Sequence, residues 1–224
     1  MSKAWSLRYA LVRAQLGWEE TLAHLTTSTA SLPDAIAKGL EVYRKELTKV
    51  ILFTGAAMAP TLNARAASPQ SSSSPPAGGS SSSGTSTVDK LLMRCIPRPS
   101  LRAVFAGDVV AFNSPVAGPG AEHLMVRRVA ALEGEELVTD DPADGSYTIP
   151  EGNCWVLADN EELRPPAVID SRTFGPLPIE NIMGRVIYYA RKNDHGPVEN
   201  SRPAMSADAA VLEAELDLDK LQES

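Results

Sequence analysis

Residues 54–63 read Thr-Gly-Ala-Ala-Met-Ala-Pro-Thr-Leu-Asn. They sit inside Val50 to Ala64, the longest charge-free apolar stretch of the chain, which is broken by Gly55, Pro60 and polar residues. Upstream, the pattern predicts a helix from about Leu32 to Val50. Pro33 and Asp34 suit its first turn, and Ile36, Leu40, Tyr43 and Leu47 form an apolar stripe of the kind that faces a core. Such a helix runs straight into the Ala57 stretch. Downstream, residues 66–87 are almost entirely Ser, Pro, Gly, Ala and Thr. A run of that composition buries no apolar surface and is expected as a disordered insertion.

From residue 88 the signals become β. Leu91 to Ile96, Asp108 to Phe112, Met125 to Ala131, Cys154 to Leu157 and Gly184 to Tyr189 read as short strands separated by Gly and Pro clusters. Short strands with frequent turns predict a mainly β domain, a coiled antiparallel sheet or small barrel.

Four further segments follow the first in order. Residues 107–115 read Gly-Asp-Val-Val-Ala-Phe-Asn-Ser-Pro, and residues 126–137 read Val-Arg-Arg-Val-Ala-Ala-Leu-Glu-Gly-Glu-Glu-Leu. Residues 152–160 read Gly-Asn-Cys-Trp-Val-Leu-Ala-Asp-Asn, and residues 170–176 read Asp-Ser-Arg-Thr-Phe-Gly-Pro. Taken together over residues 50–190, the five resemble the ordered motifs of type I signal peptidases and the mitochondrial inner-membrane peptidases. One such motif alone is weak; five in order are specific.

The resemblance implies an antiparallel signal-peptidase-like β fold with N-terminal helices. It also implies a serine nucleophile and a lysine general base, and neither is found. Ala57 stands at the serine, while Met58, Pro60 and Thr61 fit the pattern. Arg127 stands at the lysine. A methyl group cannot attack a carbonyl carbon. A guanidinium stays charged and cannot take a proton from a hydroxyl. Placing Arg128 on the lysine instead gives another arginine and spoils the match of Val129, Leu132 and Gly134. Thr54 and Ser171 are the conceivable stand-in nucleophiles, but Thr54 comes three residues early and Ser171 belongs to another motif. Gly55 and the backbone N–H of Ala57 correspond to the oxyanion hole, which needs backbone donors and no serine side chain. Asp170, Ser171 and Arg172 correspond to structural support behind the site, Asp170 and Arg172 as an ion pair.

Composition narrows the remaining classes. The chain has 224 residues, 43% of them hydrophobic, with a net charge of −7. That is room for one moderate domain with tails, and the acidity argues against general nucleic-acid binding. The two cysteines, Cys95 and Cys154, make no disulfide framework and are expected as free thiols. The scattered His24, His123 and His195 have no metal-ligand spacing, so neither a metal nor a cofactor is expected. No segment reaches the roughly 20 apolar residues that span a bilayer. This departs from the family's anchoring helix and favours peripheral attachment.

At the N-terminus, Lys3, Arg8 and Arg13 occur without an acid in the first 18 residues, and Trp5, Tyr9, Val12 and Leu16 recur at helical spacing. Two readings stay open: a mitochondrial targeting helix, or a surface helix docked on the domain. The tail from about Arg191 is expected outside the core. Its acidic helix carries Val211, Ala214, Leu218 and Leu221, and either docks on a partner or is solvated. The domain plan is thus a helical extension over 1–50, a peptidase-like domain over 51–190 with the insertion at 66–87, and an acidic tail over 191–224.

The functional expectation is a catalytically inactive, peptidase-like subunit in presequence or signal-peptide processing at the mitochondrial inner membrane. It would bind a peptide, a presequence-bearing protein or an active peptidase subunit. The alternatives are an active endopeptidase with a displaced nucleophile, and an assembly factor acting through its helical extensions.

Overall fold

In the computed structural model of the chain, residues 6–27, 31–63, 88–116, 124–138, 146–191 and 194–222 are described. The expected insertion at 66–87, together with Lys3, Trp5 and His123, lies outside them. Two helices come first, α1 (Leu7–Thr27) and α2 (Leu32–Arg44). Strands β1 (Thr48–Phe53), β2 (Asp89–Cys95), β3 (Val109–Asn113), β4 (Leu124–Leu132), β5 (Glu136–Val138), β6 (Ser146–Thr148) and β7 (Asn153–Leu157) follow. After them come α3 (Ser171–Phe174), β8 (Leu177–Pro178), β9 (Ile182–Ala190), β10 (His195–Pro197), α4 (Arg202–Glu215) and α5 (Leu218–Gln222).

The main sheet is antiparallel in the order β1-β2-β9-β3-β4-β7-β8, with β10 also paired to β9, and β5-β6 forms a separate ribbon. The mainly β expectation holds, and all five predicted strands are present. Register shifts fall at Leu92/Met93, Ala111/Phe112 and Val129/Ala131. Each extra residue bends its strand and increases the local twist, so the sheet curls. Gly184 permits the closest strand approach, because a Cβ there would strike the Arg94 carbonyl of β2.

The central strands are buried on both faces, and period-two alternation sorts their side chains into two apolar layers. Along β3, Val109 and Ala111 join Met58, Leu62, Leu91 and Val126 on one side. Val110 and Phe112 join Val104, Val129, Val156 and Leu177 on the other.

Three expectations are corrected. The helix expected from about Leu32 to Val50 ends at Arg44, and Thr48–Phe53 is edge strand β1, paired with β2. The β-branched Thr48, Val50 and Ile51 and the aromatic Phe53 fit a pleated surface, and pairing with β2 outweighs the helical period. The stripe Ile36, Leu40, Tyr43 and Leu47 does not form one core face, and of the four only Leu47, beyond the end of α2, is buried. Ile36 and Leu40 are exposed, and α2 buries Ala35 and Gly39 instead. Small residues there let two helices approach closely: a Cβ on Gly17 would lie 2.7 Å from the Gly39 carbonyl oxygen.

The third correction concerns the tail. α4 packs into the domain, with Ala204, Asp208, Ala210 and Val211 buried. Ser201 caps it by accepting from the Ala204 N–H, and Pro203 stands in its first turn. Asn200 fixes its entry, accepting from the Val109 N–H at 2.7 Å and donating to the Val186 carbonyl at 2.9 Å. Leu221 of α5 covers Leu92, Ile187 and Tyr188. The acidic residues misled the reading because Asp208 and Glu215 are bound to the fold, not to water. Of the α1 stripe, Tyr9, Val12 and Leu16 pack with Leu47 and Val211, as on a docked surface helix.

Glu215 ties three elements together. Its carboxylate accepts from the Leu47 N–H at 2.9 Å, the Thr48 N–H at 2.7 Å, the Thr48 hydroxyl at 2.7 Å and the Tyr9 hydroxyl. Burial alone would raise its pKa, but these hydrogen bonds outweigh burial and hold it below the ordinary glutamate value. Burial, with Glu215 beside it, pushes the Tyr9 phenol up to about 12. The lowered carboxyl contributes stability that is complete above the unfolded glutamate pKa of about 4.3 and lost as pH falls through the lower folded value. Urea denaturation of the wild type should therefore weaken over that acid range, and Glu215→Gln should be less stable at pH 7 and lack the slope. Equal acid slopes in both proteins would remove Glu215 from this role.

Candidate functional site

The loop after β1 carries the first motif. It turns at Gly55, whose φ of 97° lies in the region that favours glycine. Met58, Ala59 and Leu62 are fully buried, and Met58 and Leu62 anchor the loop in the first apolar layer. Pro60 is exposed and Ala57 half-buried. Asn63 closes the loop: its side chain donates to the Gly55 carbonyl at 3.0 Å, and its N–H donates to buried Asp89 at 2.7 Å. Asp89 also holds Arg191 at 3.0 Å.

The loop after β7 meets it from the other end of the sheet. The Asn160 N–H donates to the Ala57 carbonyl at 3.0 Å, and its side chain donates to the Ala56 carbonyl at 2.9 Å. The Thr61 hydroxyl donates to Asp159 at 2.6 Å, and Asp159 takes two bonds from Arg128 at 2.8 and 2.7 Å. Arg128 reaches on to the Gly107 carbonyl at 2.7 Å. The chain around Ala57 is therefore fixed on both sides. The Ala57 N–H itself donates no hydrogen bond among the described residues.

Arg127 lies on β4 beside Val126. Val126 shares the apolar layer of Met58, and alternation turns Arg127 to the other face. Its side chain is buried. Nε and Nη2 donate to the Ile169 carbonyl at 2.9 and 2.7 Å, and Nη1 donates to the Val126 carbonyl at 2.6 Å. Burial pushes the guanidinium pKa down, partly opposed by Asp170. It remains a cation with its donors taken by carbonyls. Among the described residues, no hydrogen bond joins Arg127 to residues 54–63.

Asp170, Ser171 and Arg172 open α3. Asp170 is fully buried and accepts from Arg172 Nε at 3.0 Å and Nη2 at 2.6 Å. It also caps the helix through the Arg172 N–H at 3.0 Å and accepts the Ala158 N–H at 3.2 Å. Burial would raise this carboxyl, but Arg172 and the two backbone donors hold it below the usual range. The Ser171 hydroxyl is buried and accepts the Val156 N–H at 2.9 Å. Thr54 is exposed and Thr61 is engaged with Asp159. No Ser or Thr hydroxyl among the described residues is hydrogen-bonded to a lysine or histidine. The two cysteines are free, and burial pushes Cys154 up to about 12.

Some of this site was not read from the sequence. The Asn63–Asp89 and Thr61–Asp159–Arg128 bonds span 26 to 98 residues, and no local period reports such pairs. The Asp159-Asn160 dipeptide at the end of the fourth motif was the available signal. A cavity of about 760 Å³ lies elsewhere, between α1, the β2–β3 connection and α4, lined by Leu16, Arg94, Phe105 and Asp208. It contains none of the motif residues.

No family model matches the chain. It is 42% identical over 138 residues to the mitochondrial ATP-independent inner membrane protease subunit 2 of Arabidopsis thaliana, across 61% of this chain and 66% of that protein. It is 35% identical over 86 residues to the human mitochondrial inner membrane protease subunit 1, across 37% of this chain and 47% of that protein. A probable chloroplastic thylakoidal processing peptidase 2 of Arabidopsis thaliana matches at 24% identity over 160 residues, 61% of this chain and 41% of that protein. With the curled antiparallel sheet and the ordered motifs, these relatives define the class: the chain is homologous to proteins of the type I signal peptidase family. Within it, the chain is homologous to inner membrane protease subunits and spans just under two thirds of the first relative's length.

Proposed function

We propose that this chain is a non-cleaving, peptidase-like subunit of presequence or signal-peptide processing at the mitochondrial inner membrane. It holds an extended peptide, or a peptidase subunit, at the site around Ala57. The observation that carries this reading is the pair of side chains at the two positions that the family resemblance assigns to nucleophile and base. A methyl stands at 57, and a guanidinium already bound to carbonyls stands at 127.

Support for binding comes from the edge of the sheet. β1 is an end strand whose outer edge pairs with no described strand, and it feeds directly into Gly55 and Ala57. A free edge takes an extended peptide as an added strand, with the main chain supplying affinity. The unpaired Ala57 N–H is placed to receive a peptide carbonyl, as an oxyanion-hole donor does. Gly55, Met58 and Pro60 shape this loop, and Asp170, Ser171 and Arg172 support the region behind it. The inner-membrane placement follows the names of the relatives. The acidic chain is assigned no nucleic-acid partner, and peptide binding of this kind calls for no cofactor.

The test is a panel of labelled peptides with small-residue processing sites, incubated with the purified protein. Fluorescence anisotropy is expected to report saturable binding, and mass spectrometry no cleavage. Turnover would overturn the non-cleaving assignment, and absence of binding to every peptide would overturn the groove.

A further inference from the structure

We infer that the α1–α2 hairpin is a membrane-surface element that lies in the plane of an anionic lipid interface. Five large apolar side chains of α1 are exposed: Leu7, Leu11, Trp18, Leu22 and Leu25. At 3.6 residues per turn they fall on one stripe about 60° wide. The side of α1 packed on α4 carries Tyr9, Val12 and Leu16, roughly opposite that stripe on the same wheel. The exposed stripe therefore points away from the β domain.

α2 adds Leu32, Ile36 and Leu40, exposed by 59, 53 and 44%. The helices run antiparallel, since Arg13 donates to the Tyr43 carbonyl while Gly17 meets Gly39. On α2 the exposed residues lie just beyond Ala35 and Gly39 in the sense of increasing residue angle. On α1 they lie just beyond Gly17 and Thr21 in the same sense. Two antiparallel helices offset in that way carry their stripes on the same side of the seam. The result is one two-helix-wide apolar face with Trp18 in the middle of its longer helix.

Charge selects the occupant. The open end of the hairpin brings the start of α1 beside the end of α2, and there Arg8, Arg44, Lys45 and Lys49 are exposed against two acids, Glu41 and Glu46. A cationic end beside an apolar face suits anionic headgroups over acyl chains. The relatives act at an inner membrane by name, while no helix among the described residues is long and apolar enough to cross a bilayer. An in-plane hairpin supplies attachment without a span. This inference rests on the inner-membrane placement proposed above, but its assay uses lipid and no peptide, so either can fail alone.

The experiment is flotation of the full chain with phosphatidylcholine vesicles, with and without 30 mol% (about one lipid in three) cardiolipin or phosphatidylserine. Leu11→Ser with Ile36→Ser removes apolar contact at exposed positions. Arg8→Glu with Arg44→Glu reverses the cationic end. Both keep the buried Gly17/Gly39 face, and circular dichroism checks that they stay folded. The wild type is expected to float with anionic vesicles. The apolar variant should bind at least about tenfold more weakly, and the charge variant about fivefold more weakly per charge removed at low salt. Wild-type protein that stays unbound overturns the proposal. If the face instead drives self-association, light scattering will show a concentration-dependent dimer that the Ser pair abolishes, which also overturns it. Binding unchanged in both variants would place the lipid contact elsewhere and refute this face.

Discussion

Asp208→Ala is expected to cost about 3–5 kcal/mol of folding stability, the largest loss from any single change in the former tail. Asp208 lies on α4 and bonds Arg185 Nη1 at 2.5 Å, with Arg94 Nε 3.8 Å away. Arg185 also bonds fully buried Asp108 at 2.9 Å and the Ala103 carbonyl. Arg94 Nη1 donates to the Cys95 carbonyl at 2.6 Å, but Nε has no hydrogen-bond partner; Asp208 is the carboxylate within ion-pair distance of it, and burial already pushes the Arg94 pKa down. Removing the carboxylate strands a desolvated cation, whereas removing both charges does not. Arg94→Met with Asp208→Ala should recover part of the loss in urea denaturation. If the double variant is no more stable than Asp208→Ala, the stranded charge is not the cause.

Ala57→Ser combined with Arg127→Lys is expected to create peptidase activity that neither single change gives. Serine at 57 supplies the hydroxyl beside the free backbone N–H. Lysine at 127 supplies an amine that burial would push toward neutrality, since the site already depresses a guanidinium. A base and a nucleophile act as a unit, so the single variants should be silent. The double variant should cleave about 10²–10⁴ times faster than either single variant, the usual contribution of a positioned base. Liquid chromatography with mass spectrometry on the peptide panel reads the products. A folded but silent double variant would show that residues 57 and 127 do not converge, and would sink their assignment as the two lost catalytic positions.

The β part of the fold was legible because its strands are short apolar runs and Gly and Pro clusters mark their ends. Leu91, Leu92 and Met93 illustrate why the helical layer was harder. Their unbroken apolar run is buried on both faces, and the second cover is the C-terminal segment, an arrangement no local pattern reports. Reading residues 48–50 as helix followed from a stripe that continued smoothly from Ile36 to Leu47. Only pairing with β2, across the residues between, selects the strand. At the candidate site, identities carried the information about chemistry: Ala57 and Arg127 are informative as residue types. The positions of their partners were not legible, because the carbonyls that hold Arg127 belong to backbone far along the chain or to its own neighbour.

The clamp at Glu215 also has a consequence for the order of folding. The bond from Tyr9 to Glu215 links residues 206 positions apart, and those from Leu47 and Thr48 to the same carboxylate span 168 and 167. Contacts so distant in sequence close late, because loop entropy must be overcome before they form. On a ribosome, the first strand and its helix emerge long before the residue that fastens them. Until α4 is released, Leu47 and Tyr9 stay uncovered beside the unpaired edge of β1, and this interval is when a nascent chain needs a chaperone or risks pairing with a neighbour.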